Sequence, residues 1–342
     1  MRNEQKFLLG LIAGVGATFA AAHLSRARRA IDFGGRTVVI VGGSRGLGLV
    51  LARQLASEGA KLCLLARDER ELDRARRLLE EEFPSAEVMA LRCDVRRPED
   101  ARDAVARLLG HWVAIDVLLN VAGIIQVGPL DNMEIEDFEN AMATHFWGPL
   151  QMMIETIPSM RRRGFGRIVN ITSIGGRIAV PHLAPYSASK FALVGLSDAM
   201  RAELAPHGIQ VTTVSPGLMR TGSPRNAQIK GQYWKEYAWF ALADSIPGLS
   251  TSAEKAARQI IEACRYGDPE LTITLPAKVA VVANAVAPAA VARLVNLGTR
   301  LLPRPAGREG NVARRGRDSE SRLAPSAATT LTERAAVLNN EV

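Results

Sequence analysis

The sequence predicts an α/β domain built on a doubly wound parallel sheet, and three observations carry that prediction. Short β-branched runs alternate with helical stretches from Arg36 to about Leu275, the pattern of parallel strands connected by helices that cover both faces of a sheet. A glycine-rich turn, Gly42-Gly43-Ser44-Arg45-Gly46-Leu47-Gly48, follows the first of those runs. With 342 residues, 47% of them hydrophobic, the chain has ample material for one large core plus appendages.

The elements follow in order. Thr37 to Val41 reads as the first strand and Leu47 to Glu58 as the first helix; Lys61 to Ala66 is the second strand, and Glu69 to Glu82 a charged helix. Further strands are predicted at Glu87 to Leu91, Ile115 to Val121, Arg167 to Thr172, Gln210 to Val214 and Leu271 to Leu275, with Ser252 to Tyr266 as a capped helix before the last. Ligands of such sheets bind beyond the carboxyl ends of the strands. The chain therefore divides into an N-terminal hydrophobic segment over 1–30, the sheet domain over 33–275, an apolar C-terminal helix over 276–302 and a disordered basic tail over 303–342. The whole reads as a single domain with an N-terminal apolar helix and a C-terminal helical extension.

The N-terminal segment holds an uncharged run of 18 residues, Phe7 to Leu24, with Arg2 and Lys6 before it and Arg26, Arg28 and Arg29 after it. As a helix it would be about 27 Å long, just enough to cross a bilayer. The arginines that follow oppose translocation, so the expectation is a membrane-anchored protein whose catalytic domain is cytoplasmic and whose first segment contacts membrane lipid. A cleaved signal peptide ending in the small residues Ala20 to Ala22, or a peripheral helix, are the alternatives. Residues 277–302, interrupted by Pro288 and Arg293, suit either a helix on a membrane surface, a docking helix at a dimer interface, or a kinked helix packed on its own domain.

The net charge of +8 is spread over helix surfaces and the tail, which describes a solvated surface and no nucleic-acid partner. Cys63, Cys93 and Cys264 have no C-x-x-C pairing and read as buried free thiols. The five histidines show no metal-ligand spacing, so no metal is expected. Between Gly222 and Thr251, Tyr233, Trp234, Tyr237, Trp239 and Phe240 crowd together, as either an apolar lid or a helix face packed on the core.

Chemistry is concentrated in a few motifs. Tyr186 and Lys190 are four residues apart, so on a helix they share a face and the ammonium lies beside the phenol. A neighbouring cation favours the phenolate and lowers a pKa that is ordinarily near 10. Ser173, thirteen positions upstream of Tyr186, adds a hydroxyl able to orient a carbonyl or alcohol. In the glycine turn, Gly42, Gly46 and Gly48 permit close backbone approach to a pyrophosphate, and the helix start at Ser44 to Leu47 offers free N–H groups to it. The second strand ends in Ala66 and Arg67 where an Asp or Glu would receive the adenosine ribose of NAD. Arg67 and Arg45 could fork around a 2′-phosphate, so NADP(H) is the expected cofactor and NAD the lesser alternative.

The glycine turn, Asp94-Val95, Asn120-Val121-Ala122-Gly123, Ser173, Tyr186-x-x-x-Lys190 and Pro216-Gly217-x-x-x-Thr221 together resemble the short-chain dehydrogenase/reductase family over roughly residues 33 to 275. The resemblance implies a Rossmann-type fold and a small-molecule alcohol or carbonyl substrate, in proteins that are often homo-oligomers. It implies that Asp94 holds the adenine amino group with Val95 against the ring, and that Asn120 to Gly123 stabilise the central strand and line the cofactor. Pro216, Gly217 and Thr221 would embrace the nicotinamide, and Lys190 would also bond its ribose. Two positions depart from the family pattern: Val121 stands where a second Asn is usual, and His145 where an Asn usually holds the relay water. His145 either serves the proton relay or packs as a neutral residue.

The function expected is NADP(H)-dependent interconversion of an alcohol and a ketone or aldehyde, with an apolar, lipid-like substrate suggested by the membrane anchor and the aromatic loop. The alternatives are a catalytically weak NADP(H)-binding scaffold, or an epimerase or dehydratase on the same fold.

Overall fold

A computed structural model describes residues 25–246, 248–320, 324–326 and 329–341. Its centre is a seven-stranded, all-parallel sheet. The strands are β1 (Thr37–Val41), β2 (Lys61–Ala66), β3 (Val88–Arg92), β4 (Val117–Asn120), β5 (Gly166–Ile171), β6 (Ile209–Pro216) and β7 (Glu270–Ile273). They lie in the order β7-β6-β5-β4-β1-β2-β3. The chain starts in the middle, winds outward through β2 and β3, then returns to add β4 to β7 on the other side. Register places Val41 beside Asn120 and Asn120 beside Asn170, so the carboxyl ends of β1, β4 and β5 finish together.

The helices between the strands are α1 (Gly46–Ser57), α2 (Glu69–Glu82), α3 (Pro98–Trp112), α4 (Ile135–Met142), α5 (Gly148–Arg163) and α6 (Ala184–Leu204); α7 (Tyr233–Ser245) and α8 (Ala253–Tyr266) follow β6. Local chemistry sets several of their starts. The Asp68 side chain accepts the Glu71 N–H at the head of α2, and Ser252 accepts the Lys255 N–H at the head of α8. Pro98 opens α3, where its missing N–H leaves no bond unmade. Leu49, Leu55, Leu72, Leu79, Ala257 and Ile260 from α1, α2 and α8 are buried on one face of the sheet. Leu108, Met152, Met160 and Leu204 from α3, α5 and α6 are buried on the other. Each such Leu removed from water contributes about 1.5–3 kcal/mol, and this two-sided burial fixes the strand ends that carry the site.

Membrane anchoring is corrected. Among the described residues no helix is long and apolar enough to cross a membrane, and the run Phe7–Leu24 on which an anchor was expected lies outside them. The apolar stretch over 276–302 is a pair of helices, α9 (Leu275–Val286) and α10 (Pro288–Thr299), because Pro288 cannot continue the first and opens the second.

Residues beyond 303, expected to be disordered, are held on the body wherever they are described. Arg314–Arg315 pair antiparallel with Gln228–Ile229, which pair in turn with Gln126–Val127. The Tyr233 hydroxyl donates to the carbonyls of Glu309 and Val312, and α11 (Thr330–Leu338) packs on α7. Composition gave no hint of this, since the segment is retained by backbone pairing and polar contacts, with few large apolar side chains.

Candidate active site

A cleft of about 740 Å³ opens at the carboxyl ends of β1, β2, β4, β5 and β6. It brings together every residue expected to act or bind except Asn120, which lies beneath its floor. At one end is the glycine turn. Gly42 has φ +83°, and a Cβ there would fall 2.7 Å from the Cα of Ala122. A Cβ on Gly48 would meet the Gly42 carbonyl oxygen at 2.0 Å. Strand, turn and helix can pack this closely only with glycine at both positions.

Charged groups crowd the cleft around this turn. The Arg45 guanidinium donates to Asn226 Oδ1 at 2.8 Å and to Glu71 Oε1 at 3.3 Å. The Ser44 hydroxyl donates to Glu71 Oε2 at 3.2 Å. Asp94 accepts a paired contact from Arg96, at 2.6 Å from Nη2 to Oδ2 and 3.0 Å from Nε to Oδ1. The hydrogen bond from Arg96 holds the Asp94 carboxyl below its ordinary range. Arg67 makes no side-chain hydrogen bond or ion pair among the described residues. Desolvation first, then repulsion by Arg96 and Arg45, lowers its pKa.

The other end carries Ser173, Tyr186 and Lys190. Ser173 lies two residues beyond β5, and its Oγ accepts the Gly175 N–H at 3.0 Å. Tyr186 and Lys190 stand one turn apart near the start of α6, with Lys190 Nζ 5.7 Å from the Tyr186 ring centre. That ammonium donates to the Ile171 carbonyl at 2.8 Å. Desolvation pushes Lys190 down to about 7 and Tyr186 up to about 12, with Ser173 pulling the phenol the other way and Asp244 adding to the rise. The expected lowering of the phenol by its neighbour is therefore not the resting condition. Burial of the pair outweighs the attraction because Lys190 is aimed at a carbonyl.

His145 lies in a π-helical turn, Ala143–Trp147, between α4 and α5. It is fully buried. Its Nε2 accepts the Ile124 N–H at 3.1 Å, and its Nδ1 lies 2.7 Å from Ser189 Oγ, which donates to the Tyr186 carbonyl at 2.8 Å. Both ring nitrogens are thus engaged, and the network assigns the proton to Nδ1. Burial, then the charge of Lys190, lowers the imidazole well below its ordinary value.

Asn120 donates to Asn170 Oδ1 at 2.8 Å, and Asn170 donates to Ser197 Oγ at 2.8 Å, a polar chain that ties β4 to β5 and α6. Val95 packs against Gly148, where a Cβ would fall 2.8 Å from Val95 Cγ2. Leu47, Ala122, Gly123, Pro216 and Gly217 line the cleft between its two ends, with buried Thr221 bonded to Ser223 Oγ at 2.6 Å. Sequence reasoning missed Glu71, Arg96, Asn226, Arg315, Arg317 and Glu341, all of which line the same cleft. Arg96, two residues from Asp94, was the most findable; Glu341 had no signal at all.

A family model, short chain dehydrogenase, matches residues 36–230. A Mycobacterium tuberculosis protein named as an oxidoreductase, SadH, is 33% identical over 270 residues, covering 78% of this chain and 96% of that one. The dehydrogenase/reductase SDR family member 7B of Danio rerio is 33% identical over 222 residues, 64% of this chain and 72% of its own length. Among solved structures, a short-chain dehydrogenase from Streptomyces avermitilis aligns with TM-score 0.65 and 27% identity over 78% of this chain and 99% of its own. L-sorbose reductase from Gluconobacter frateurii, complexed with NADPH and L-sorbose, aligns with TM-score 0.64 and 25% identity over 71% and 97%. With its parallel sheet, glycine turn and these matches, the chain belongs to the short chain dehydrogenase family, oxidoreductases that act on alcohol or carbonyl groups with a nicotinamide cofactor.

Proposed function

We propose that this protein is an NADP(H)-dependent oxidoreductase that interconverts an apolar alcohol and its ketone or aldehyde, with Tyr186 handling the proton. The observation that carries the reading is the gathering of Ser173, Tyr186 and Lys190 at one end of a cleft whose other end is a glycine turn flanked by arginines.

The residues fit a dinucleotide. A Cβ at Gly42 or Gly48 would fill the turn, and Arg96 and Arg45 repel Arg67, whose positive charge a 2′-phosphate would satisfy. The glycine turn would hold the phosphates, Asp94 and Val95 the adenine, and Pro216, Gly217 and Thr221 the nicotinamide end. When bound, the cofactor supplies or accepts the hydride.

The remaining chemistry belongs to the chain. In reduction the Tyr186 hydroxyl gives its proton to the substrate oxygen, and in oxidation the phenolate takes it back. Ser173 Oγ orients the same oxygen. Lys190, protonated when the phenol loses its proton, stabilises the phenolate by its field. His145 and Ser189 act one step further out, holding the Tyr186 backbone through the bond from Ser189 to its carbonyl.

An apolar substrate is supported by the walls near Ser173. Tyr237 and Phe240 are core residues of α7, buried with Ile229 and Leu183, so the aromatic cluster is largely packing. Trp239, however, lines an apolar groove of about 370 Å³ with Ile174, Val180, Val295 and Leu302. Ile174, which directly follows Ser173 in the chain, ties one wall of the groove to the serine of the cleft.

The test follows NADPH absorbance with purified protein across a panel of aliphatic, sterol-like and small polar carbonyls and alcohols. Turnover favouring apolar members, lost about 10²–10⁴-fold in Tyr186→Phe, supports the reading. Tight NADPH binding without turnover of any member, indifferent to Tyr186→Phe, overturns it in favour of a cofactor-binding scaffold.

A further inference from the structure

The segment just after α11 lies inside the cleft. The Gly46 N–H, the first of helix α1, donates to the Asn339 carbonyl at 2.8 Å. Glu341 accepts a short hydrogen bond from the Gly222 N–H, and its carboxylate lies against Gly46. Asn340, at φ +58°, donates from Nδ2 to the carbonyls of Ser44 at 2.9 Å and Glu71 at 3.2 Å, while Arg74 donates to its Oδ1 at 2.9 Å. Asn339, Asn340 and Glu341 are all buried. Asn339 and Glu341 therefore take two backbone N–H groups, those of Gly46 and Gly222, that a bound phosphate could use, Asn340 anchors them from the Ser44 and Glu71 carbonyls, and Glu341 sets a carboxyl group at an anion site.

The hold behind them is light. The apolar side chains Leu331, Val337 and Leu338 of α11 are largely exposed. What attaches the helix is polar: Arg225 to Glu333 at 2.6 Å, Thr332 to Ser245 at 2.7 Å, and Arg53 to the Leu338 carbonyl at 2.9 Å. With Ala336 the one fully buried apolar side chain of the helix, a segment retained mainly by hydrogen bonds can leave without exposing large apolar core side chains.

We propose that residues 330–341 are a built-in plug of the cofactor cleft, in which Asn339, Asn340 and Glu341 occupy the glycine turn and Gly222 in place of the cofactor's phosphates and must withdraw before the cofactor binds. The inference rests on the reading of the cleft as the dinucleotide site. With the plug seated, only the fraction of molecules with an open turn binds, so the apparent dissociation constant rises by the inverse of that fraction. Any partner or modification that captures the withdrawn segment would activate the enzyme.

Two measurements on the full chain test it. NADPH binding, followed by its fluorescence, is compared between the unmodified protein and the double variant Asn340→Ala, Glu341→Ala. Hydrogen exchange of the backbone amides over 330–341 in the unmodified protein is compared with and without saturating NADPH, and needs no variant. The expected results are binding tighter by about fivefold or more in the variant and faster exchange over 330–341 when NADPH is added. Equal affinity in both proteins, with exchange unchanged or slowed at saturation, overturns the plug. Failure of both proteins to bind NADPH or NADH at all overturns the dinucleotide reading and the plug with it.

Discussion

His145 Nδ1 lies 2.7 Å from Ser189 Oγ, and that hydroxyl donates a hydrogen bond to the carbonyl of Tyr186. The position that departs from the family pattern is thus wired to the backbone of the tyrosine, with its second nitrogen accepting the Ile124 N–H. With its pKa held well below the ordinary value by burial and by Lys190, the ring is already neutral at the pH where a free histidine would titrate. The pH–rate profile should therefore lack a histidine inflection there. His145→Ala should destabilise the fold by about 1–3 kcal/mol in chemical denaturation, because it strands buried polar partners. An inflection near pH 6–7 in the unmodified protein that vanishes in His145→Asn would instead place the imidazole in the proton relay.

Arg67 is a cation beside the glycine turn with no side-chain partner among the described residues, whereas Arg45 is bonded to Asn226 and Glu71 and Arg96 to Asp94. A 2′-phosphate should draw on it first. Arg67→Ala should weaken NADPH by about tenfold or more, the equivalent of one charge-assisted contact, and leave NADH nearly untouched. Titration of both nucleotides against both proteins measures this, and equal losses for the two would remove the basis for NADP(H) preference.

Gly42 combines a left-handed φ with a Cβ position 2.7 Å from Ala122 Cα. Gly42→Ala should lower stability by about 1–3 kcal/mol through backbone strain alone, and the shift needed to relieve contact with Ala122 should also reduce dinucleotide affinity. Thermal unfolding and NADPH titration of the same preparation separate the two effects. Unchanged values for both would show that the turn has room for a side chain.

The strand and helix boundaries were legible because burial on both faces of a parallel sheet demands continuous apolar strands, and Val38 to Ile40 or Leu62 to Leu65 can hardly be read otherwise. Ser173, Tyr186 and Lys190 were legible because spacing on one helix and one strand end suffices to bring them together. The direction of their pKa shifts was not, since it depends on which acceptor Lys190 finds, and Ile171 is distant in sequence. The residues beyond 303 were illegible for a different reason. Backbone pairing of Arg314–Arg315 with Gln228–Ile229, and the bond from Gly46 to the Asn339 carbonyl, use no side-chain pattern and leave no periodicity to read.

Lys190 gives the protein a stability signature that does not depend on substrate. Desolvation takes its pKa from an ordinary 10.5 down to about 7, so between those values the unfolded chain binds more protons than the folded one. The favourable contribution is then fully present above the unfolded value and is lost as pH falls toward 7. Tyr186 runs the other way. Raised from 10.0 to about 12, it contributes below its unfolded value and loses that contribution as pH climbs toward 12. Asp244, pushed up to about 8 mainly by burial, and the thiols, pushed up by burial, also shift with pH. They are common to the unmodified protein and Lys190→Met, so the difference between the two isolates the lysine. That difference should grow in favour of the unmodified protein as pH rises from about 8.5 to 10, by at most about 1.4 kcal/mol per pH unit. Denaturant midpoints of the two proteins, measured across that range without cofactor, test it. Parallel pH profiles would mean that Lys190 keeps its ordinary affinity for a proton, despite its burial beneath Tyr186 and its bond to the Ile171 carbonyl.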